Sequence, residues 1–163
     1  MDNNHVGAGD QQQSCDALSV RDQRGLILHL LYAADSFDYQ VSLEAIVDNF
    51  SRGFECVIEP HSALVVQAQA IVDKRIELDE QIKPLLDNWK FERIGCMTRL
   101  ILRMAIWELE YTQTEHSIVI NEAIELAKGY AESDAHKFIN GVLDKWVKEH
   151  QEAKEMSETG IKI

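Results

Sequence analysis

The chain has 163 residues, with 16 Lys and Arg against 28 Asp and Glu, for a formal net charge of −12. Apolar residues make up 45 %, enough for a packed core, so global disorder is excluded. With 8 glycines and 2 prolines, an all-β fold built on many tight turns is excluded as well.

The N-terminus, Met1–His5, has neither a basic region nor an apolar run, so no secretory signal is expected. The longest apolar stretch, Leu26–Ala34, is interrupted by His29 and falls short of the ~20 residues that a membrane span needs. Cys15, Cys56 and Cys96 are widely spaced, with no C-x-x-C. That usage fits a reducing, cytoplasmic compartment better than a disulfide framework or a zinc site.

Residues 1–18 read as a polar tail, with Gly7, Gly9 and Gln11–Gln13, three acids and no cation. The hydrophobic period is then helical throughout. A first helix starts at Ser19, whose hydroxyl caps while Asp22 makes a capping-box-like pair, and carries Leu26, Ile27, Leu30 and Leu31. A second runs from Ser42 to Gly53, the glycine suiting the left-handed position past a helix end. Pro60 suits the first turn of a third, longer helix with its seam on Leu64, Ala68, Ile71, Leu78 and Ile82. Pro84 breaks that helix and marks a seam between subdomains 19–83 and 84–150.

A short helix or turn over Leu85–Trp89 leads into a helix from Phe91 to Tyr111, apolar nearly all round and therefore central. The next spans Ser117–Lys128, closed by Gly129. The last starts at Ser133 as N-cap and buries Ile139, Val142, Leu143 and Trp146. Gly141 inside it implies close approach of a neighbouring helix, since it costs ~1 kcal/mol against alanine. Residues 151–163 read as a fraying polar tail. The expected architecture is all-α, with no sheet.

Enzyme signatures are absent: there is no G-x-G-x-x-G, phosphate-binding loop, H-E-x-x-H or G-x-S-x-G. No two histidines lie at i, i+4 on one helix, so no metal and no cofactor are expected. Asp79 and Glu80 read as a solvated face, and Trp89, Trp107 and Trp146 as core. An acidic chain does not bind nucleic acid nonspecifically, because that binding rests on cations displacing counterions. Between Lys83 and Arg103, however, five cations (Lys83, Lys90, Arg93, Arg99, Arg103) face two acids. Two readings stand: a local basic surface, or cations paired with acids on neighbouring helices.

The stretch Ile120–Lys128, followed by His136–Lys145, closely resembles the NusB family of bacterial transcription antitermination factors. Leu102–Leu109 is similar to that family's Leu-Arg-x-Ala-x-x-Glu-Leu motif, and Arg24–Ala33 to its first helix. The resemblance is strong over 93–145 and weak over 36–83. The same fold fronts the RsmB type of RNA methyltransferase, but 163 residues leave no room for a catalytic domain, so a stand-alone factor is expected. The resemblance implies two packed three-helix subdomains and no catalysis. It also implies binding of single-stranded boxA RNA with NusE, the small-subunit ribosomal protein, within the RNA polymerase antitermination complex.

Carried over residue by residue, Arg21 and Arg24 belong to an RNA-facing arm, here poorer in arginine than is usual for the family. Tyr130 and Phe138 match RNA-contacting aromatics, with Asp134 placed to accept from a base and Lys137 to meet a phosphate. Phe138 as core and Asp134 as helper to the Ser133 cap are the structural readings of the same residues. Arg103, Glu108, Glu122 and Asn140 read as one partly buried network, since a buried guanidinium needs partners to offset desolvation. Tyr32 and Glu92 match positions used against NusE; a core-edge tyrosine and a solvated glutamate are the plainer reading. A helical scaffold or homodimer with little RNA binding remains the alternative function.

Overall fold

The computed structural model describes residues 13–53 and 56–160. The tail readings for 1–12 and 161–163 lie outside the described residues. Seven α-helices carry the described fold: α1 (Val20–Ser36), α2 (Leu43–Ser51), α3 (Ala63–Asp73), α4 (Arg75–Ile82), α5 (Cys96–Tyr111), α6 (His116–Tyr130) and α7 (Ala135–Glu158). No helix among the described residues is long and apolar enough to cross a membrane.

The capping chemistry sets the early boundaries. Ser19 Oγ accepts from the Asp22 backbone N–H at 3.1 Å and donates to Asp22 Oδ2 at 2.6 Å, fixing the start of α1. Ser42 and Ser62 cap α2 and α3 in the same way, through the N–H of Ala45 and of Val65. Pro60 therefore lies ahead of α3 and not in its first turn.

The expected long third helix is bent into α3 and α4 at Lys74, where no proline stands. There the Arg75 side chain donates to the Val72 carbonyl at 2.8 Å, satisfying one of the acceptors that the end of α3 leaves open. Pro84 sits in the 3-10 turn Lys83–Leu85 that ends α4.

Helix α5 is the centre of the molecule. Leu100, Ile101, Leu102, Met104, Ala105 and Ile106 are all buried, so the helix meets neighbours on every side. It packs against α1, α3, α4, α6 and α7. The α3–α4 seam of Leu64, Ala68, Ile71, Leu78 and Ile82 is buried in the same cluster, together with Ile139, Leu143 and Trp146 of α7. One continuous core joins both halves of the chain.

Several local expectations are corrected. Gly53 does not adopt positive φ; Asp38, Tyr39, Asn88 and Asp134 do. Ser133 does not cap α7: Asp134 holds that position at φ 69°, with no side-chain capping bond. Gly129 lies inside α6 rather than past its end. A Cβ at Gly141 would meet nothing within 4 Å, whereas one at Gly95 would collide with the Glu132 carboxylate, so the close approach is at Gly95. Helix α7 continues to Glu158, although its last turns bury nothing. Trp89 is 58 % exposed, not core.

The cysteine expectation also fails. Strand β1 (Gln13–Ser14) pairs in parallel with β2 (Cys56–Val57), a two-residue ladder in a chain expected to have no sheet. Beside it, Cys15 and Cys56 form a disulfide with Cα atoms 5.4 Å apart. Spacing along the chain could not show this, because the bridge joins residues separated by 41 positions that meet only when the ladder forms. Closing a loop of 41 residues removes unfolded-state entropy equivalent to about 4 kcal/mol. Reduction with dithiothreitol, or the double change Cys15→Ser/Cys56→Ser, is expected to lower Tm by roughly 10 °C. Identical melting curves with and without reductant would show that the bridge contributes nothing.

Candidate nucleic-acid interface

The arm that opens α1 sets both of its arginines against carboxylates, Arg24 buried and Arg21 on the exposed surface. Arg21 donates from Nε to Glu122 Oε2 at 3.0 Å and from Nη2 to Oε1 at 2.8 Å, a two-pronged pair across α1 and α6. That hydrogen bonding holds the Glu122 carboxyl below the usual range, and raises the Arg21 guanidinium above its own. One turn on, Arg24 is buried and donates from Nε to Glu108 Oε2 at 3.1 Å, with its Nη2 on Oε1. The hydrogen bond to Glu108 is the main reason its pKa is raised. Both arginines expected along RNA are thus engaged within the protein.

The four residues read as one network fall into separate hydrogen-bonded contacts, with the Arg21–Glu122 and Arg24–Glu108 pairs close enough to act on each other through their charges. Arg103 pairs with Asp79, through Nε–Oδ1 and Nη2–Oδ2 bonds of 2.7 Å each. Its Nη1 also donates to Tyr39 Oη at 3.0 Å, and Tyr39 donates to Asp35 Oδ1 at 3.0 Å. Burial opposes the Arg103 charge, but the hydrogen bond and attraction of Asp79 outweigh it and raise the pKa. Asp79, read in the sequence as solvated, is buried. Glu108 serves Arg24 and Glu122 serves Arg21, while Asn140 makes no side-chain hydrogen bond among the described residues.

Two grooves flank the turn between α6 and α7. The first, of about 480 Å³, lies between α1 and α6 and is lined by Leu18, Arg21, Gly25, His29, Glu122 and Tyr130. Tyr130 ends α6, is 45 % exposed and meets the His29 ring edge-on at 5.2 Å. The second, of about 360 Å³, is lined by Trp89, Arg93, Gly95, Thr98, Glu132 and Phe138, with Asp134 at its margin. Phe138 is half-buried against the core and meets Trp89 edge-on at 6.1 Å. Lys137 and Asp134 face each other at 3.3 Å, both well exposed.

The structure therefore brings Arg21 together with Tyr130, and Asp134 with Phe138, on opposite sides of one turn. Asp134 caps nothing with its side chain, so the capping reading is corrected. Of the cations between 83 and 103, Lys83 pairs with Glu80, Arg99 approaches Asp35 and Arg103 binds Asp79. Lys90 and Arg93 carry no ion pair among the described residues. Tyr32, on α1, is 47 % exposed, and Glu92 is exposed in the 3-10 turn before α5. Sequence reasoning missed Trp89 and Glu132 as groove residues. The interleaving of Trp89 and Phe91 with Lys90 and Arg93 was the available signal for the first; Glu132 had none, because its place depends on Gly95.

Comparison with known proteins matches residues 21–148 to the sequence profile of the NusB family. The chain is 30 % identical over 134 residues to the transcription antitermination protein NusB of Macrococcus caseolyticus, covering 80 % of this chain and 98 % of that protein. It is 34 % identical over 121 residues to the NusB of Helicobacter pylori, covering 74 % of this chain and 86 % of the other. Among solved structures, T. maritima NusB superposes with a TM-score of 0.69 at 26 % identity, over 81 % of this chain and 92 % of that one.

Removing one partner of the buried Arg103–Asp79 pair strands a charge. Arg103→Leu is expected to cost ~3–5 kcal/mol in urea unfolding, and Arg103→Leu/Asp79→Leu to recover most of it. An unchanged midpoint for the single variant would refute that role. The Arg21–Glu122 pair has its own pH signature. Because the folded pKa of Glu122 lies below the unfolded value, its contribution is present above about pH 4.5 and lost as pH falls through the folded value. The stability difference between wild type and Glu122→Gln should accordingly be constant near neutrality and vanish in acid, followed by thermal melts across pH 3 to 7.

Proposed function

The chain belongs to the NusB family, and on that footing we propose that it is an RNA-binding transcription antitermination factor. In this reading it joins boxA-type single-stranded RNA to NusE and promotes read-through by RNA polymerase in ribosomal RNA operons. It works in the cytoplasm as a binding factor without catalysis, its residues 19–83 and 84–150 forming two subdomains around α5. The observation that carries the RNA reading is the α6–α7 turn. Between residues 130 and 138 it gathers exposed Tyr130, half-buried Phe138, Asp134 and Lys137, with a groove on either side. Aromatic faces, cations and polar acceptors at one edge are what unstacked bases and their phosphates require.

Tyr32 and Glu92 supply the NusE-facing surface, since an exposed tyrosine and a carboxylate suit a basic ribosomal protein. The net charge of −12 and the engagement of Arg21 and Arg24 favour a second reading, a helical or self-associating scaffold with little RNA affinity.

Mobility shifts with labelled boxA RNA, with and without NusE, separate the two. Weak binding by the protein alone is expected, with a log–log salt slope below about 2 in magnitude, at ~0.7 for each phosphate contact. A stable ternary shift should appear only with NusE, and Tyr32→Ala should diminish it. Asp22→Arg, which adds a cation to the arm while leaving the Ser19 hydroxyl as cap, should strengthen RNA binding and steepen the slope. No shift under any condition would leave the scaffold reading in place.

A further inference from the structure

Trp89 is 58 % exposed although its ring is held edge-on against Phe138, so a fixed aromatic face is left open at the second groove. Phe138 itself is half-buried, which makes the indole the larger stacking surface there. Glu132 lines the same groove, and its carboxylate is seated rather than loose. Thr98, a buried residue, donates from Oγ1 to Glu132 Oε2 at 2.9 Å. The carboxylate occupies the space that any side chain at position 95 would take, so the glycine is what admits it. Each carboxylate oxygen keeps acceptor capacity beyond the Thr98 bond.

We infer that the Trp89–Glu132 groove is a guanine-reading subsite, in which an unpaired guanine stacks on Trp89 and presents its Watson–Crick edge to the Glu132 carboxylate. This rests on the single-stranded RNA reading above. The chemistry selects among the bases. Guanine offers two adjacent donors, N1–H and N2–H₂, that match a carboxylate fork. Adenine and cytosine each set a ring-nitrogen acceptor beside their amino group, and uracil flanks its single N–H with two carbonyls. At about 360 Å³ the groove is of a size for one base and its sugar rather than a longer segment. Arg93 lines it and Lys90 adjoins Trp89, both without an ion pair among the described residues. Those cations suit the flanking phosphates and disfavour the competing occupant, a basic side chain of a protein partner.

The test uses the full chain with equimolar NusE and 12-nucleotide oligouridylates carrying one central guanosine, inosine, adenosine or cytidine. Binding is followed by anisotropy and by quenching of tryptophan emission. Wild type should prefer guanosine by about fivefold or more, with inosine intermediate because it lacks the N2 amino group. Glu132→Gln should abolish the preference while retaining the quench. Trp89→Leu should weaken every oligonucleotide by about tenfold and remove most of the quench. Both side chains are exposed, and circular dichroism establishes that the variants fold. A guanosine preference that survives in Glu132→Gln, or wild-type affinity in Trp89→Leu, overturns the subsite while leaving RNA binding intact. If Glu132→Gln instead weakens NusE binding without RNA and leaves base preference unchanged, the groove holds a protein side chain and the inference fails. Failure of wild type with NusE to bind either these RNAs or boxA overturns the RNA reading and this inference together.

Discussion

Two buried ion pairs on one helix hold this molecule in register. Helix α5 carries Arg103 and Glu108; the first binds Asp79 of α4 and the second binds Arg24 of α1. Each pair joins the first half of the chain to the second, and each is shielded from water. A buried guanidinium and carboxylate repay their desolvation only when several hydrogen bonds are aligned together. Sliding α5 against α1 would break the Arg24–Glu108 fork, and sliding it against α4 the Arg103–Asp79 fork. Apolar packing alone would resist such a slip weakly, because the surface of α5 is hydrophobic nearly all round.

The same constraint reaches the turn after α1. Tyr39 sits at φ 58°, a backbone region that costs a non-glycine residue free energy. Its hydroxyl lies between Arg103 and Asp35, and its ring under the Arg75 guanidinium at 4.1 Å. Asp35 also accepts from the Cys96 thiol at 3.2 Å. Burial is the main influence pushing that thiol up, with the Asp35 contact adding to it. A single polar cluster thus ties the end of α1 to the beginning of α5, near the exposed Tyr32 and Glu92.

Charge economy follows from this architecture. Arg21, Arg24, Arg99 and Arg103 are committed to internal or cross-helix carboxylates and are not free to meet a polyanion. What remains near the grooves is Lys90 and Arg93, with Lys137 held only by the exposed Asp134, beside aromatic rings. Recognition by such a surface depends more on stacking and hydrogen bonding than on counterion release.

The sequence by itself determined the helical period, the serine starts at 19 and 42, and the centrality of α5, whereas the Ser62 cap displaced the expected start at Pro60. Each depends on side chains within a few residues of one another, or on a pattern every 3.6 residues. Family likeness was legible for the same reason, in contiguous motifs over residues 93–145. Only the tertiary structure decided which carboxylate meets which arginine, because Arg103 and Asp79 are 24 positions apart and Arg24 and Glu108 are 84. It also decided that Cys15 meets Cys56, that α3 and α4 are separate helices, and that Gly95 rather than Gly141 makes room for a neighbour. Trp89 looked like core by composition and became an exposed groove wall because the turn after Asn88 carries it out of the helical stripe. Local propensity acts along the chain, whereas ion pairing, disulfide closure and groove shape act through space. Those partners are set only when the helices have packed.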